Sequence, residues 1–284
     1  MRPVAATDAQ LWVENAAPTG RWPRLRFGQV WTNRELIYFF ALRDVKVRYK
    51  QAFLGAAWAG LQPLIGALAF TILFNRLANV TVDTDSYFGF ALVGFIAWSY
   101  FSSALSAGTN SLLWNAELLT KVALPRIALP TAATLPPLVD LAVGTVIALV
   151  ITLVWGGGTS VVGLVVGTPL GVLLLLTATA GPVLALSALI VKYRDVSVIV
   201  GFGLQLLVFL SPVGYPPELV PGIWYTLQYL NPIAGSLALL RWGLAGTPRP
   251  DLGLVALSTA VAMAGLVAGG YYFRANERQF VDII

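Results

Sequence analysis

The sequence predicts an all-α protein that crosses a membrane several times, with six spans by the count developed below. Three observations carry this. Only 11% of its 284 residues are charged, while 57% are hydrophobic and the mean hydropathy is +0.77; soluble domains carry about a quarter charged residues. Long uncharged runs recur along the chain, the first of them 22 residues at 54–75. The charges that remain are mostly basic and gather beside those runs, as expected for loops held in the cytosol.

Composition also removes whole classes of chemistry. With no cysteine there is no disulfide and no thiolate metal or redox site. With no histidine the commonest proton shuttle and metal ligand is missing. The net charge of +5 is accounted for by topology and anionic headgroups rather than by a nucleic-acid partner.

Residues 1–30 read as a cytosolic arm of prolines, glycines and arginines with little periodicity. They hold no apolar run of the signal-peptide kind, so the first span is expected to direct insertion. Over residues 43–63 the chain passes from dense charge to none. Just upstream, Tyr38, Leu42, Val45 and Tyr49 recur at helical spacing, with Arg43, Lys46, Arg48 and Lys50 to the sides. This predicts an amphipathic interface helix over 31–51, lying at the membrane surface.

The first span follows at 54–75, about 33 Å of helix and enough to cross the hydrocarbon core. Gln62–Pro63 predicts a kink within it. A polar loop around Asp83 and Asp85 precedes the second span at 88–113. Residues 114–126, WNAELLTKVALPR, predict a short helix on the cytosolic side. Asn115 would cap it, Glu117 would sit in its first turn with Lys121 four residues on, and Pro125 would end it. The third span, 127–155, carries Pro136, Pro137 and the one clear mid-span ionisable group, Asp140.

Gly156–Gly158 make an outer turn, the fourth span covers 164–191, and the fifth covers 196–213. Residues 215–241 differ. Pro221–Gly222 and Asn231–Pro232 leave an uninterrupted piece of eight residues, about 12 Å of helix and far short of a span. The prediction there is a pair of short helices that enter the outer leaflet and turn back. The sixth span is 252–273, followed by a short cytosolic tail. This layout places fifteen of the eighteen basic residues inside and leaves Arg76, Arg241 and Arg249 outside.

Catalytic constellations are absent from the sequence. There is no Gly-rich loop ending in Lys-Ser/Thr to cradle a nucleotide. The carboxylates Asp83, Asp85, Glu218 and Asp251 are scattered, so no catalytic or metal site is expected. Asp140 has two readings: a functional ionisable group within a span, or a structural hydrogen bond to a neighbouring helix or to backbone freed by the prolines. Aromatic residues recur along helix faces, with Phe70 and Phe74, Trp58 and Gln62, and Phe202, Gln205 and Phe209. Such stripes fit either helix packing or a path along which sugar rings stack.

Four segments, RDVKVRYKQAFLGAAWAGLQP at 43–63, KVALPR at 121–126, VKYRDV at 191–196 and SPVGYPPELVP with LNPIAG beyond it, resemble the permease subunits of ABC transporters that export bacterial surface polysaccharides: O-antigen, capsule and teichoic acid. The resemblance covers residues 31–284. It implies a homodimer of twelve spans in the cytoplasmic membrane, surrounded by lipid and with both termini cytosolic. It implies two copies of a separate ATPase subunit that hold ATP and Mg, this chain binding no cofactor itself, and a lipid-linked polysaccharide as cargo.

On that resemblance the ATPase-coupling interface falls on Arg43, Lys46, Arg48, Lys50, Asn115, Glu117, Lys121 and Arg126. The channel lining falls on Trp58, Gln62, Phe70, Phe74, Phe202, Gln205 and Phe209. The outer gate at 215–241 includes Tyr215, Pro216, Trp224, Tyr225, Asn231 and Pro232. The competing readings are an ABC exporter of drugs or small lipids and a membrane-embedded glycosyltransferase or polymerase. A secondary transporter would need more intramembrane ionisable groups than Asp140 alone.

Overall fold

Two long helices form the buried centre: α4 (Tyr87–Trp114, 28 residues) and α8 (Thr168–Lys192, 25 residues). The computed structural model describes residues 28–50, 57–84, 86–122, 124–154, 158–277 and 280, and among these every regular element is helical. Leu92 and Tyr100 of α4 and Leu175 and Ile190 of α8 are almost completely enclosed. In lipid the apolar surface of a helix gains little by meeting another helix, so association depends on close van der Waals packing and small residues. That condition is met where α8 meets α12 (Leu252–Asn276). A Cβ added to Gly181 would fall 2.5 Å from the carbonyl carbon of Gly265, and one added to Gly269 would fall 2.2 Å from the Gly181 carbonyl oxygen. The two backbones touch because neither glycine has a side chain.

The remaining helices surround this pair. α1 (Gly28–Thr32) and α2 (Arg34–Lys50) come first. α3 (Ala57–Phe70) runs through Pro63 without a break, and its irregularity comes later, in a π-helical continuation over Thr71–Leu77. The short α5 (Ala116–Lys121) follows α4 directly, with Asn115 as the joint.

The expected third span is two helices, α6 (Ala128–Ala133) and α7 (Pro136–Val154). Pro136 and Pro137 offer no N–H to the preceding turn, so they cannot continue a helix but can begin one. The fourth starts with a π-helical turn at Gly163–Gly167 before α8.

Among the described residues, five stretches are long and apolar enough to cross a membrane: Gly60–Leu77, Tyr87–Trp114, Ala128–Val154, Gly163–Lys192 and Leu252–Asn276. The segment read as a fifth span over 196–213 is shorter than expected. α9 (Val196–Leu210) has 15 residues, about 22 Å against the roughly 30 Å of a hydrocarbon core. It ends at Ser211, which is extended (ψ 143°) as the residue before Pro212 is biased to be.

Beyond it come a 3₁₀ turn (Pro217–Leu219), α10 (Ile223–Gln228) and α11 (Pro232–Leu244). The expected division at Asn231–Pro232 is where α11 begins: Asn231 accepts from the Ile233 N–H, and Pro232 takes the first helical position. The arm expected over 1–30 lies outside the described residues apart from 28–30.

Candidate functional site

The charged residues gather where α2 meets the bundle. α2 carries Glu35 in its first turn and Arg48 and Lys50 in its last, the order its dipole favours. It docks by Ile37, which packs with Ala128 and Ala132 of α6, and Ala41 is buried on the same helix; the alanines of α6 allow the close approach. Of the stripe inferred from sequence, Tyr38 is 60% exposed and Leu42, Val45 and Tyr49 are half-buried, while Ile37 is the neighbour that packs on the protein.

Farther along α2, Arg48 pairs with Asp140 of α7 at 2.7 Å, the arginine half exposed and the carboxylate buried. The Tyr49 hydroxyl donates to the other oxygen of the same carboxylate. Burial, and after it the hydrogen bond and charge of Asp140, push the Tyr49 phenol up to about 12. Of the two readings of Asp140, this matches the structural one: its hydrogen bond and ion pair go to a neighbouring helix, α2, and not to proline-freed backbone. The sequence hides the pairing because positions 48 and 140 are far apart and nothing local links them.

A second tie joins α2 to the end of α4. Arg43 Nη2 donates to Asn115 Oδ1 at 3.1 Å while its Nε pairs with Asp44 at 2.8 Å, and Asn115 Nδ2 donates to the Ser111 carbonyl. Asn115 therefore does not cap α5, as expected from sequence; no side-chain cap is made there, because its amide is engaged on both sides. Glu117 and Lys121 pair at 3.1 Å on the exposed face of α5, while Leu119 anchors the helix. α5 stops at Lys121, ahead of Pro125.

Arg126 turns away from this group and donates to the Glu277 carbonyl at the end of α12, where Glu277 also pairs with Arg274. Lys46 and Lys50 are exposed. Between α2, α4 and α6 lies a cavity of about 480 Å³ lined by residues including Phe40, Arg43, Arg48, Trp114 and Pro137.

The aromatic residues separate into two groups. Phe70 stacks on Phe74 at 5.3 Å, meets Phe95 edge-on at 4.9 Å and reaches Phe209 of α9 at 6.2 Å. Phe202, Gln205 and Gln62 are exposed and outside that cluster, and the Trp58 side chain lies outside the described residues. Together with Ile65 and Leu68 of α3 and Val198, Ile199 and Leu206 of α9, they leave both helices with a bare apolar face.

At the far end of α9, residues 211–214 form a buried turn gripped from several helices. Tyr87 of α4 donates to the Gly214 carbonyl at 2.6 Å, Asn231 to Ser211 Oγ at 2.7 Å and Arg241 Nη2 to the Val213 carbonyl at 2.6 Å. Phe70 lies against Gly214, where an added Cβ would fall 2.1 Å from the ring. Arg241, placed outside by the sequence count, is only 3% exposed, and its guanidinium lies 3.6 Å from the centre of the Phe90 ring. A signal was present: it is the single charge within an otherwise apolar helix, between Leu240 and Trp242.

Of the remaining expected gate residues, Tyr215 is half-buried, Pro216 is buried and Trp224 is exposed. Tyr225 meets Tyr229 edge-on at 5.8 Å.

A bundle of long apolar helices with charged side chains gathered beside α2 is a multi-pass membrane protein in its general class. Residues 35–244 match the family model described as "ABC-2 type transporter", and the chain belongs to that family. It is similar to the O-antigen export system permease protein RfbA of Myxococcus xanthus, with 27% identity over 90% of this chain and 98% of that protein. It is also similar to a protein of the same name from Klebsiella pneumoniae, with 26% identity over 73% of this chain and 78% of the relative. Membership makes the chain a transport permease rather than an enzyme, with an ABC ATPase as its partner and ATP hydrolysis in that separate subunit.

Proposed function

We propose that this chain is the membrane-spanning subunit of an ATP-driven exporter that moves lipid-linked, O-antigen-type polysaccharide across the cytoplasmic membrane. The observation that carries the reading is similarity along nearly the whole length of a relative named for O-antigen export. It favours O-antigen over capsule or teichoic acid as cargo.

The channel in this reading forms between two copies. The bare faces of α3 and α9 suit that role, because exposed Phe202, Phe209 and Gln205 would line a path on which sugar rings stack while Gln supplies amide contacts. α9 then serves as the short fifth crossing, which brings the count to six in each chain, lengthened by the buried turn at 211–214, and both termini face the cytosol.

The ATPase docks on α2 and α5. Closure of its two copies shifts these helices, and the Arg48–Asp140 pair passes the movement of α2 to α7. The ATPase supplies the differential free energy between two packings of the helices. Residues 215–241 close the path on the outer side.

The test is co-reconstitution of the chain with its ATPase in vesicles holding the lipid-linked glycan. Glycan-stimulated ATP hydrolysis with translocation supports the reading. Turnover of the glycolipid by this chain alone, without ATP, contradicts it.

A further inference from the structure

We propose that the outer cavity beside Arg241 is a subsite for one neutral sugar unit of the exported glycan; the inference rests on the export reading above and adds a binding site to it. The cavity, of about 180 Å³, lies between α10, α11, the turn at 212–218 and the loop at 247–251, with Asp83 at its edge. It has room for a single pyranose ring.

Its lining mixes charge of both signs. Asp83, Glu218 and Asp251 supply three carboxylates, and Arg241 and Arg249 supply two guanidinium groups. An anion entering here would meet three like charges and a cation two, both in a site of lowered dielectric. A neutral polyol avoids both penalties. Each of its hydroxyls can donate to a carboxylate and accept from a guanidinium, and hydrogen bonds to ionised groups are the strong ones.

Arg241 supports the assignment independently. It is 97% buried, yet among the described residues no carboxylate lies within ion-pair distance of it. Nε and Nη2 reach the carbonyl oxygens of Phe90 and Val213, and Nη1 holds no hydrogen bond there. A buried cation without a charge partner is costly unless other acceptors reach it, and the cavity is the place from which acceptors can come. Tyr225 and Tyr229 add aromatic side chains to the same lining, and the C–H face of a pyranose is complementary to an aromatic ring.

Because the native chain has no cysteine, Ala238→Cys places the only thiol at the cavity wall. Cells carrying the exporter with its ATPase are labelled from outside with a membrane-impermeant thiol reagent. Methyl pyranosides of glucose, galactose, mannose, rhamnose and N-acetylglucosamine are titrated against the reaction. At least one should slow labelling saturably, by about tenfold at ten times its Kd, and Asp83→Asn or Glu218→Gln should abolish that protection without shifting Tm. If Ala238→Cys fails to fold, Val82→Cys on the same lining replaces it. Protection by none of the sugars beyond that given by equal glycerol overturns the subsite, as does protection that survives both carboxylate substitutions.

Surface glycan measured in the same cells tests the export reading separately. Export without sugar protection removes the subsite alone, and protection in cells that export no glycan removes the export reading alone.

Discussion

Arg241 Nη2 donates to the carbonyl oxygen of Val213 at 2.6 Å, which fastens α11 to the turn that ends α9. Arg241→Met keeps much of the side-chain bulk but leaves that carbonyl buried and without its partner, at a cost of about 1–3 kcal/mol. Lysine does not substitute, because a single ammonium cannot reproduce the planar fork that reaches both Phe90 and Val213. Thermal unfolding in detergent should show both Arg241→Met and Arg241→Lys melting several degrees below wild type. An unchanged Tm for both contradicts the clamp.

Gly94 and Gly201 should respond to alanine in opposite directions. A Cβ at Gly94 would fall 1.9 Å from the Val213 carbonyl oxygen, against rigid backbone, whereas nothing lies within 4 Å of one at Gly201. Gly94→Ala should destabilise by several kcal/mol, because overpacking here adds to loss of the clamped turn. Gly201→Ala should stabilise by up to about 1 kcal/mol through helix propensity. A bulky Gly201→Phe tests the two-copy channel, since it should leave the single chain folded but narrow the path and lower glycan translocation in reconstituted vesicles. Translocation unaffected by Gly201→Phe argues that the α9 face does not line the path.

Arg48→Gln removes the cation from Asp140, which then retains only Tyr49. Since Arg48 is 42% exposed and Asp140 8%, solvent screening keeps the loss near about 1–2 kcal/mol, below that of a fully buried pair. Asp140→Asn should cost less, because it leaves no buried charge, and the double substitution should be far from additive. Raised by burial and the nearby carboxylate to about 12, Tyr49 should hold its hydrogen bond fully below pH 10 and lose it as pH rises through 12. Additive effects in a double-mutant cycle contradict the pairing.

Much of this architecture was legible in the sequence, and the gaps have physical causes. Uncharged runs and proline punctuation located the long helices, the division at Asn231–Pro232 and the short helices on either side of it. Ser211 before Pro212 shows why α9 ends early; the apolar residues beyond it extended the predicted span because hydropathy does not register backbone conformation. The stripe on α2 is divided, Tyr38 exposed and Val45 and Tyr49 half-buried, since apolar character alone does not say whether lipid, a second chain or α6 receives a side chain. Long-range pairs such as Arg48 with Asp140 and Arg43 with Asn115 leave no local pattern. Asn115 was assigned a capping role by its position, when its amide is taken by Arg43 and Ser111.

Glu117 and Lys121 pair on an exposed surface, where such contacts contribute about 1 kcal/mol or less to stability. Exchanging them, Glu117→Lys with Lys121→Glu, should leave Tm within a degree or two of wild type. If α5 docks the ATPase, the same exchange should strongly reduce glycan-stimulated ATP hydrolysis. Stimulation at the wild-type level would remove α5 from the coupling interface.

The most direct measurement is ATP hydrolysis by the purified ATPase, alone and co-reconstituted with this chain, with and without lipid-linked O-antigen-type glycan in the vesicles. The account predicts that stimulation by the glycan requires this chain, that glycan crosses the bilayer only when ATP is hydrolysed, and that the chain alone hydrolyses none. ATP hydrolysis by the isolated chain, or glycan movement that proceeds without the ATPase, would contradict it.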